Sequence, residues 1–399
     1  MRPLSDLIVL DLTHMLSGPF AGMVLADLGA RTIKIEPPEK GEMTRGLLAK
    51  DTANSLNGMG AYFLTLNRNK ESVCIDLKNN EGKNLFYDLA RKADIIISNF
   101  SPGVTKRLGI HFDDLKLINP KIITCTVTGF GEDGPAFNRP AFDQVAQGYG
   151  GGMSITGHPD SPPTRAGIPI GDLGGGMFAA IGILSAVNAR ALTGKGQHVD
   201  ISMQDCQLSL LNYMATMYFL SGEIPGPIGN SHFVHVPYNT FPTRDRWLII
   251  AVITDDAWSR FLDVVDINAL RNDLYETQPG RLKAKKDIEN ELITKLKTQK
   301  CDYWLTKLTE ARIPCAPVND FEHALNDEQA LSRNMVVDVA HPVEGSVKMP
   351  GNPIKLSDTT SENFSSPPLL GQQTNEVLTN LLNLSQDQIK ILKEKNIIN

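Results

Sequence analysis

Short apolar runs alternate with stretches of helical spacing along the first 130 or so residues, and this alternation constrains the fold more than any other feature. Residues 7–12 (LIVLDL) read as a buried strand, 19–28 carry helical apolar spacing closed by Gly29, and 32–35 form a second strand. The unit recurs: a helical stretch at 82–92 leads into the apolar 95–97, and 121–127 is a further β-rich run. Strand, helix, strand repetition predicts a parallel sheet covered by helices.

Beyond the glycine-rich 148–152 a long apolar helix begins near Leu173, followed by a turn at 193–197 and an alternating strand at 198–202. Its most apolar part, 174–187, stops at Asn188 and Arg190, short of the roughly 20 residues that span a bilayer, so it reads as a buried helix. A helix over 204–219 ends near Gly222. Prolines and glycines at 222–227 break regular structure and mark a boundary. This gives a large domain over 1–222, a small domain over 223–330, and a segment, 331–399, that returns to the large one. In the small domain 247–253 reads as a strand, Asp255 or Asp256 as a helix cap, and 281–299 as a strongly charged helical face. A Ser/Thr/Pro connector at 358–368 precedes a polar amphipathic tail.

A net charge of −6 argues against nucleic acid as the main partner. Five cysteines, odd in number and without a Cys-x-x-Cys pair, read as reduced and mostly buried thiols. The first residues lack the pattern of a signal peptide, so a cytoplasmic protein without membrane partners is expected. His111, His158, His198, His232, His235, His323 and His341 show no metal-ligand spacing, and no metal is expected.

Chemistry concentrates around Asp172, where a loop enters the long apolar helix. The residue reads as the helix N-cap, facing free N–H groups that keep it ionised near neutral pH. Gly171 and glycines 174–176 are poor helix formers, costing roughly 1 kcal/mol each relative to alanine, so they read as room for a bulky acyl group on the carboxylate. Gly171 and Leu173 would then flank the reacting centre, with nearby N–H groups stabilising an oxyanion; a plain helix cap is the competing reading. Glycines 148–152 do not complete Gly-x-Gly-x-x-Gly, whose last position falls on Met153, and no Walker-type lysine follows. They read as a flexible or an acyl-binding loop. His14 follows the first strand at the end where open α/β sheets bind ligands. Arg139 and Arg165 could fork onto the distal carboxylate of a substrate, or else sit on the surface or contact phosphates.

With these residues in place, the chain resembles the class III CoA-transferases, the CaiB/BaiF family that includes formyl-CoA transferase, methylacyl-CoA racemase and succinyl-CoA-dependent dicarboxylate CoA-transferases. Motifs in family order are VLDLTH (9–14), GPFAG (18–22), IKIEPP (33–38), LNRNK (66–70), DLK (76–78), NFSPGV (99–104), GFG (129–131), TGKGQ (193–197) and PLLG (368–371).

The resemblance implies an α/β fold, a Rossmann-like parallel-sheet large domain plus a smaller α+β domain, assembled as an interlocked homodimer. It implies that Asp172 is the acylated carboxylate, with Asp143 beside it. His14, Asp76, Leu77, Lys78, Asn99, Phe100, Ser101 and Arg107 would line the coenzyme A site. CoA would be substrate and product, with no permanently bound cofactor, and would pass from an acyl-CoA to a free acid through aspartyl anhydride and aspartyl-CoA thioester intermediates. A small dicarboxylate acceptor and succinyl-CoA as donor are expected. Leu16, Pro37 and a missing tetraglycine loop, for which only Gly226 and Gly229 stand nearby, depart from formyl-CoA transferase and argue against formyl-CoA and oxalate as the pair. A racemase needs an acid and base pair, and the position before Asp143, a histidine in that branch, is Phe142. A non-catalytic CoA-binding protein is the alternative from another class.

Overall fold

The structure, a computed structural model, describes residues 2–359 and 362–399. The chain divides into two compact units, one of Met1–Gly152, Arg165–Glu223 and Gln329–Asn399, the other of Met153–Thr164 and Ile224–Glu328.

The first unit is built on six parallel strands: β1 (Ile8–Asp11), β2 (Arg31–Glu36), β3 (Lys70–Cys74), β4 (Ile95–Ser98), β5 (Ile123–Thr128) and β6 (His198–Ser202). β1, β2, β4 and β5 are nearly continuous runs of buried, mostly β-branched residues, as a sheet covered on both faces requires. β3, with the sequence KESVC, has no such pattern and escapes a reading of the sequence. Strand order is β3-β2-β1-β4-β5-β6, with the direction of winding reversing between β1 and β4.

The connecting helices are α1 (Ser17–Asp27), α2 (Ala61–Leu66), α3 (Asn80–Ala90), α4 (Val104–Leu108), α5 (Phe112–Ile118), α6 (Asp143–Tyr149), α7 (Ile170–Thr193), α8 (Met203–Leu211) and α9 (Tyr213–Ser221). α1 and α7 cover one face of the sheet, where Ala21 and Leu25 of the first helix share a core cluster with Ala179, Ile183 and Ala186 of the second. α7 is longer than the apolar run suggests. Its 24 residues are long and apolar enough to cross a membrane by length and composition, but Ala179, Ala180, Ile183 and Ala186 are buried in the core while Met177, Ile181 and Leu192 are exposed. It continues past Arg190 because that guanidinium pairs with Asp94 at 3.0 Å and donates to the Lys121 carbonyl. The single helix expected over 204–219 is two: Asn212, at φ 50° and ψ −126°, breaks it.

The second unit carries an antiparallel sheet of β7 (Tyr238–Pro242), β8 (Trp247–Ala251) and β9 (Cys315–Pro317), in the order β9-β8-β7. Helices α10 (Asp255–Val265), α11 (Lys285–Leu296) and α12 (Cys301–Glu310) pack on it around Phe241, Ile250, Trp258, Phe261, Leu292 and Trp304. Thr254, not Asp255 or Asp256, caps α10 by accepting from the Ala257 N–H. The charged face expected over 281–299 is interrupted at Ala284, and Arg281 is fully buried, donating to the carbonyls of Val236, Tyr275 and Glu276 and pairing with Asp255 at 2.6 Å.

Back in the first unit, strands β10 (Val336–Ala340) and β11 (Ser346–Pro350) form a hairpin, and α13 (Thr374–Leu382) and α14 (Gln386–Glu394) join α3 over the second face of the sheet, where Val377, Leu378, Ile389 and Ile397 meet Leu85, Phe86 and Leu89. The connector expected at 358–368 includes Thr360 and Ser361, which lie outside the described residues.

Candidate active site

The reversal between β1 and β4 leaves a crevice at the carboxyl ends of the strands, where open α/β sheets bind ligands. A cavity of about 1400 Å³ occupies it. Of the residues expected there, His14, Asp76, Leu77, Lys78, Phe100 and Arg107 line the cavity. Asn99 stands behind His14 and holds it from both sides, its Oδ1 accepting from the His14 N–H at 2.8 Å and its Nδ2 donating to the His14 carbonyl at 2.7 Å. Ser101 contributes a carbonyl that starts α4 and is not on the wall. Lys40, on the loop after β2, is on the wall and was not anticipated. With Lys78 and Arg107 it supplies cations suited to phosphate groups. The His14 ring sits 5.5 Å from that of Phe100, and burial, then nearby Lys34, lowers its pKa, so the imidazole is neutral at pH 7.

Three buried charges set the loop between β1 and α1. Lys70 Nζ donates to Asp11 at 2.8 Å and to the Pro19 carbonyl at 3.0 Å, and Lys34 Nζ donates to the Thr13 carbonyl at 2.8 Å. The Thr13 N–H and hydroxyl both donate to Asp11. Burial would push the Asp11 carboxyl up, but Lys34 and Lys70 outweigh it and hold the group well below the usual carboxylate range.

The same loop links the cavity to α7. Three residues past His14, the Ser17 Oγ lies where a Cβ on Gly175 would come within 2.7 Å of it, and the Ser17 carbonyl is equally close to Gly176. The glycine run therefore makes room for the chain itself: α1 at Gly175 and Gly176, α8 at Gly174 through Leu210 and Gln207, and Asp143 at Gly171. It is not open space for an acyl group, because interlocking helices fill it.

Asp172 lies in the first turn of α7, whose N-cap is Pro169, so the expectation of an N-cap aspartate is corrected. The capping carboxylate is Asp143, at the start of α6. Its Oδ1 accepts from the N–H groups of Gly171 at 2.8 Å and Asp172 at 3.2 Å, and its Oδ2 from Gln147 Nε2 at 2.8 Å. Gln147 is fixed in turn by the Ala166 N–H, which donates to its Oε1. The N–H groups of Gly171 and Leu173 are both engaged, the second with the Pro169 carbonyl, so neither is a free oxyanion donor.

With Asp143 on the helix end, Asp172 gets no stabilisation of its charge. Burial first, and the Asp143 charge second, push its carboxyl up to about 6, against the expectation of a cap-stabilised anion. Among the described residues no ion pair involves Asp172. The Tyr62 phenol feels both carboxylates: its pKa is raised by burial, then by the Asp172 and Asp143 charges. It is carried on α2, which Phe63 and Leu64 anchor against Val339 and Met349 of the β10–β11 hairpin. Nothing in the local sequence marks Tyr62.

Arg139 lies over the rings of Tyr149 and Phe130, 5.1 and 5.6 Å from their centroids, and donates to the Tyr149 hydroxyl at 3.1 Å. Arg165 is exposed and donates to the carbonyls of Ala166 and Gly167. The glycine-rich stretch starts inside α6; Gly150 backs onto Gln207 and Gly151 takes φ +83°. In the second unit, Gly226 has open space around it and Gly229 packs on His158. The five cysteines are free, and burial pushes the Cys74 thiol up to about 12 and Cys206 up to about 11, which leaves neither suited to act as a nucleophile.

The sequence model of CoA-transferase family III matches residues 4–374. The acetyl-CoA:oxalate CoA-transferase of Acetobacter aceti is 38% identical over 371 residues, 92% of this chain and 93% of that protein. The succinate–glutarate CoA-transferase of Agrobacterium fabrum is 36% identical, covering 95% of this chain and 96% of its own length. A crystal structure of a CaiB/BaiF family protein from Brucella suis superposes with a TM-score of 0.85 at 34% identity, over 95% of this chain and 99% of that one.

Proposed function

The chain belongs to CoA-transferase family III and is a CoA-transferase, and from that premise we propose that it moves CoA from an acyl-CoA to a small dicarboxylic acid with Asp172 as the group that is acylated. The observation that carries the assignment is the unpaired Asp172, pushed up to about 6 beside Asp143. Such a carboxylate is still mostly ionised at pH 7, yet more basic than an ordinary aspartate, which suits a nucleophile.

In the first step an Asp172 oxygen bonds to the thioester carbonyl carbon as the C–S bond breaks, giving a mixed anhydride and CoA thiolate. The thiolate then attacks the aspartyl carbonyl, releasing the donor acid and leaving an aspartyl-CoA thioester. The acceptor carboxylate attacks the aspartyl carbonyl of that thioester, expelling CoA thiolate and forming a second mixed anhydride. The thiolate finally attacks the acceptor's acyl carbon, breaking the anhydride C–O bond and releasing the Asp172 carboxylate. Each step exchanges one activated acyl bond for another, so no outside energy source is needed.

A dicarboxylate acceptor is supported by the names of the relatives, whose acids are oxalate in one and succinate and glutarate in the other, and by Arg139, held on an aromatic shelf at the far end of the helix that begins with Asp143. Succinyl-CoA is the donor we would try first. A racemase reading lacks a second base, since Phe142 precedes Asp143. Succinyl-CoA incubated with a panel of mono- and dicarboxylates, followed by mass spectrometry, tests the proposal. New CoA esters of dicarboxylates are expected, and hydroxylamine should trap an adduct on Asp172. Epimerised thioester without CoA exchange would overturn it.

The same reading gives a homodimer. α9 has no buried residue, and Tyr213, Met217, Tyr218, Phe219 and Leu220 are all exposed, an apolar face that a second copy would cover. Light scattering should find twice the chain mass at micromolar concentration; a monomer would contradict this.

A further inference from the structure

The PLLG motif at 368–371 has no part in the chemistry above, and Asn396, Ile398 and Asn399 lie on the cavity wall although nothing in their sequence suggests a site. The structure joins the two. Asn399 Oδ1 accepts from the Thr374 hydroxyl at 2.9 Å, and its Nδ2 donates to the Leu370 carbonyl at 3.2 Å. Gly371, at φ +65°, is the glycine of the motif, and a Cβ there would come within 2.0 Å of the Asn399 side chain. The Thr374 hydroxyl also accepts from the Cys74 N–H at 3.1 Å, tying this knot to the end of β3.

From β3 the chain turns into Asp76, Leu77 and Lys78. The Asp76 N–H donates to the Ile397 carbonyl at 2.9 Å, and Asp76 Oδ1 accepts from the Lys78 N–H at 2.9 Å. Ile397 and Ile398 are buried in the core beneath. One side of the 76–78 turn is thus held by a segment more than 300 residues further along the chain, which also places Asn396, Ile398 and Asn399 on the cavity wall.

We infer that residues 396–399, locked by Asn399 to Thr374 and Leu370, are a positioning element for the 76–78 turn and set the affinity for the phosphate-bearing end of the CoA substrate, not the rate of group transfer. The inference rests on the proposed function. Lys40, Lys78 and Arg107 make this cavity the place for the anionic end, and Asp172 is not among its lining residues. A change at Asn399 should therefore be felt in binding alone.

The test compares Asn399→Ala and Thr374→Val with Thr374→Ser, which keeps the hydroxyl. Asn399→Ala and Thr374→Val should each raise the calorimetric Kd of CoA and the KM for acyl-CoA roughly three- to tenfold, the scale of one or two lost hydrogen bonds. Turnover and the KM for the acceptor acid should stay at wild-type values, and Thr374→Ser should restore tight binding. The thioester of pantetheine, which lacks the nucleotide, should show no change in KM. Equal weakening of CoA and pantetheine substrates, a fall in kcat without a change in KM, or an unchanged Kd would each overturn the inference. If the wild-type protein binds no CoA, the functional proposal fails and this inference falls with it; if the wild type binds CoA and the variants bind equally well, only the inference fails. Asn399→Ala removes a side chain exposed apart from these two bonds, so the comparison stands even if Thr374→Val unfolds.

Discussion

Two carboxylates of the first unit are held in opposite ways. Asp11, at the end of β1, is completely buried, yet Lys34 and Lys70 keep it firmly ionised and every bond it makes fixes the loop toward His14. Asp172, in the first turn of α7, is less buried and has another carboxylate for a neighbour, so its pKa rises to about 6. Depth of burial alone would rank the two the other way. Partners decide: a charge given cations becomes part of the scaffold, and a charge denied them stays available for chemistry.

The largest expected effect is at the chemical end of this comparison. Asp172→Ala should lower kcat on the order of 10⁴-fold or more, the scale of losing a nucleophile, with CoA affinity unchanged because the residue is not on the cavity wall. Steady-state kinetics and calorimetry check both halves; a variant that retains turnover would erase the functional side of the contrast. At the scaffold end, Lys70→Met leaves Asp11 buried and short of its closest cation. Denaturant unfolding should show a loss of about 3–5 kcal/mol, typical of a broken buried pair. A loss below about 1 kcal/mol would mean that Lys34 suffices and that Lys70 is not part of the frame.

The contrast also explains what the sequence could reveal. β1 and β4 were legible as short, largely apolar runs and β2 and β5 as runs rich in β-branched residues, as strands covered on both faces tend to be. β3 was not, because the Lys70 that opens it is buried through partners far away in sequence, the Asp11 carboxylate 59 positions before it and the Pro19 carbonyl. The cavity residues His14, Asp76, Leu77, Lys78, Phe100 and Arg107 were named from motifs, whereas Asn396, Ile398 and Asn399 reach the wall only through tertiary contacts. Local rules put the helix cap on Asp172, since a carboxylate at the start of an apolar helix is ordinarily the cap. The true cap, Asp143, lies 29 residues earlier, and no local signal links the two. The glycines beside Asp172 signalled a close approach correctly, but whether ligand or protein fills the space depends on Ser17, Phe20 and Leu210, which only folding brings there.

A smaller effect has the less expected sign. The folded-state value of Asp172, about 6, lies above its ordinary 3.8, so the stability associated with its protonated form is complete below pH 3.8 and is lost as pH rises through 6. At pH 7 the ionised group therefore destabilises the fold, and Asp172→Asn should stabilise it by about 1–3 kcal/mol while abolishing turnover. Thermal unfolding at pH 7 and at pH 4 measures this. The gain should shrink toward zero at the lower pH, where the wild-type carboxyl is itself neutral. A gain of equal size at both values would point to packing instead of charge.

The smallest effect divides the causes of that shift. In Asp143→Asn the side-chain oxygen can still accept from the Gly171 and Asp172 N–H groups, so the start of α7 keeps its cap. The new amide would meet Gln147 Nε2, a donor, and turning the Gln147 amide to suit it would set a donor against the Ala166 N–H. A stability cost of about 1 kcal/mol is expected from that conflict. The electrostatic consequence is separable. Burial is the larger cause of the raised Asp172 value and the Asp143 charge the smaller, so neutralising Asp143 should move the acid limb of the pH dependence of kcat/KM from near 6 toward lower pH without bringing it to 3.8. Turnover below pH 6 should then rise relative to the enzyme's own plateau, because more Asp172 is ionised there. An unmoved limb would mean that burial alone sets the value and that Asp143 is a cap and nothing more. A limb displaced all the way to 3.8 would show that the two carboxyls titrate as one coupled pair, and Asp172 would then differ from Asp11 only in the sign of its neighbour's charge.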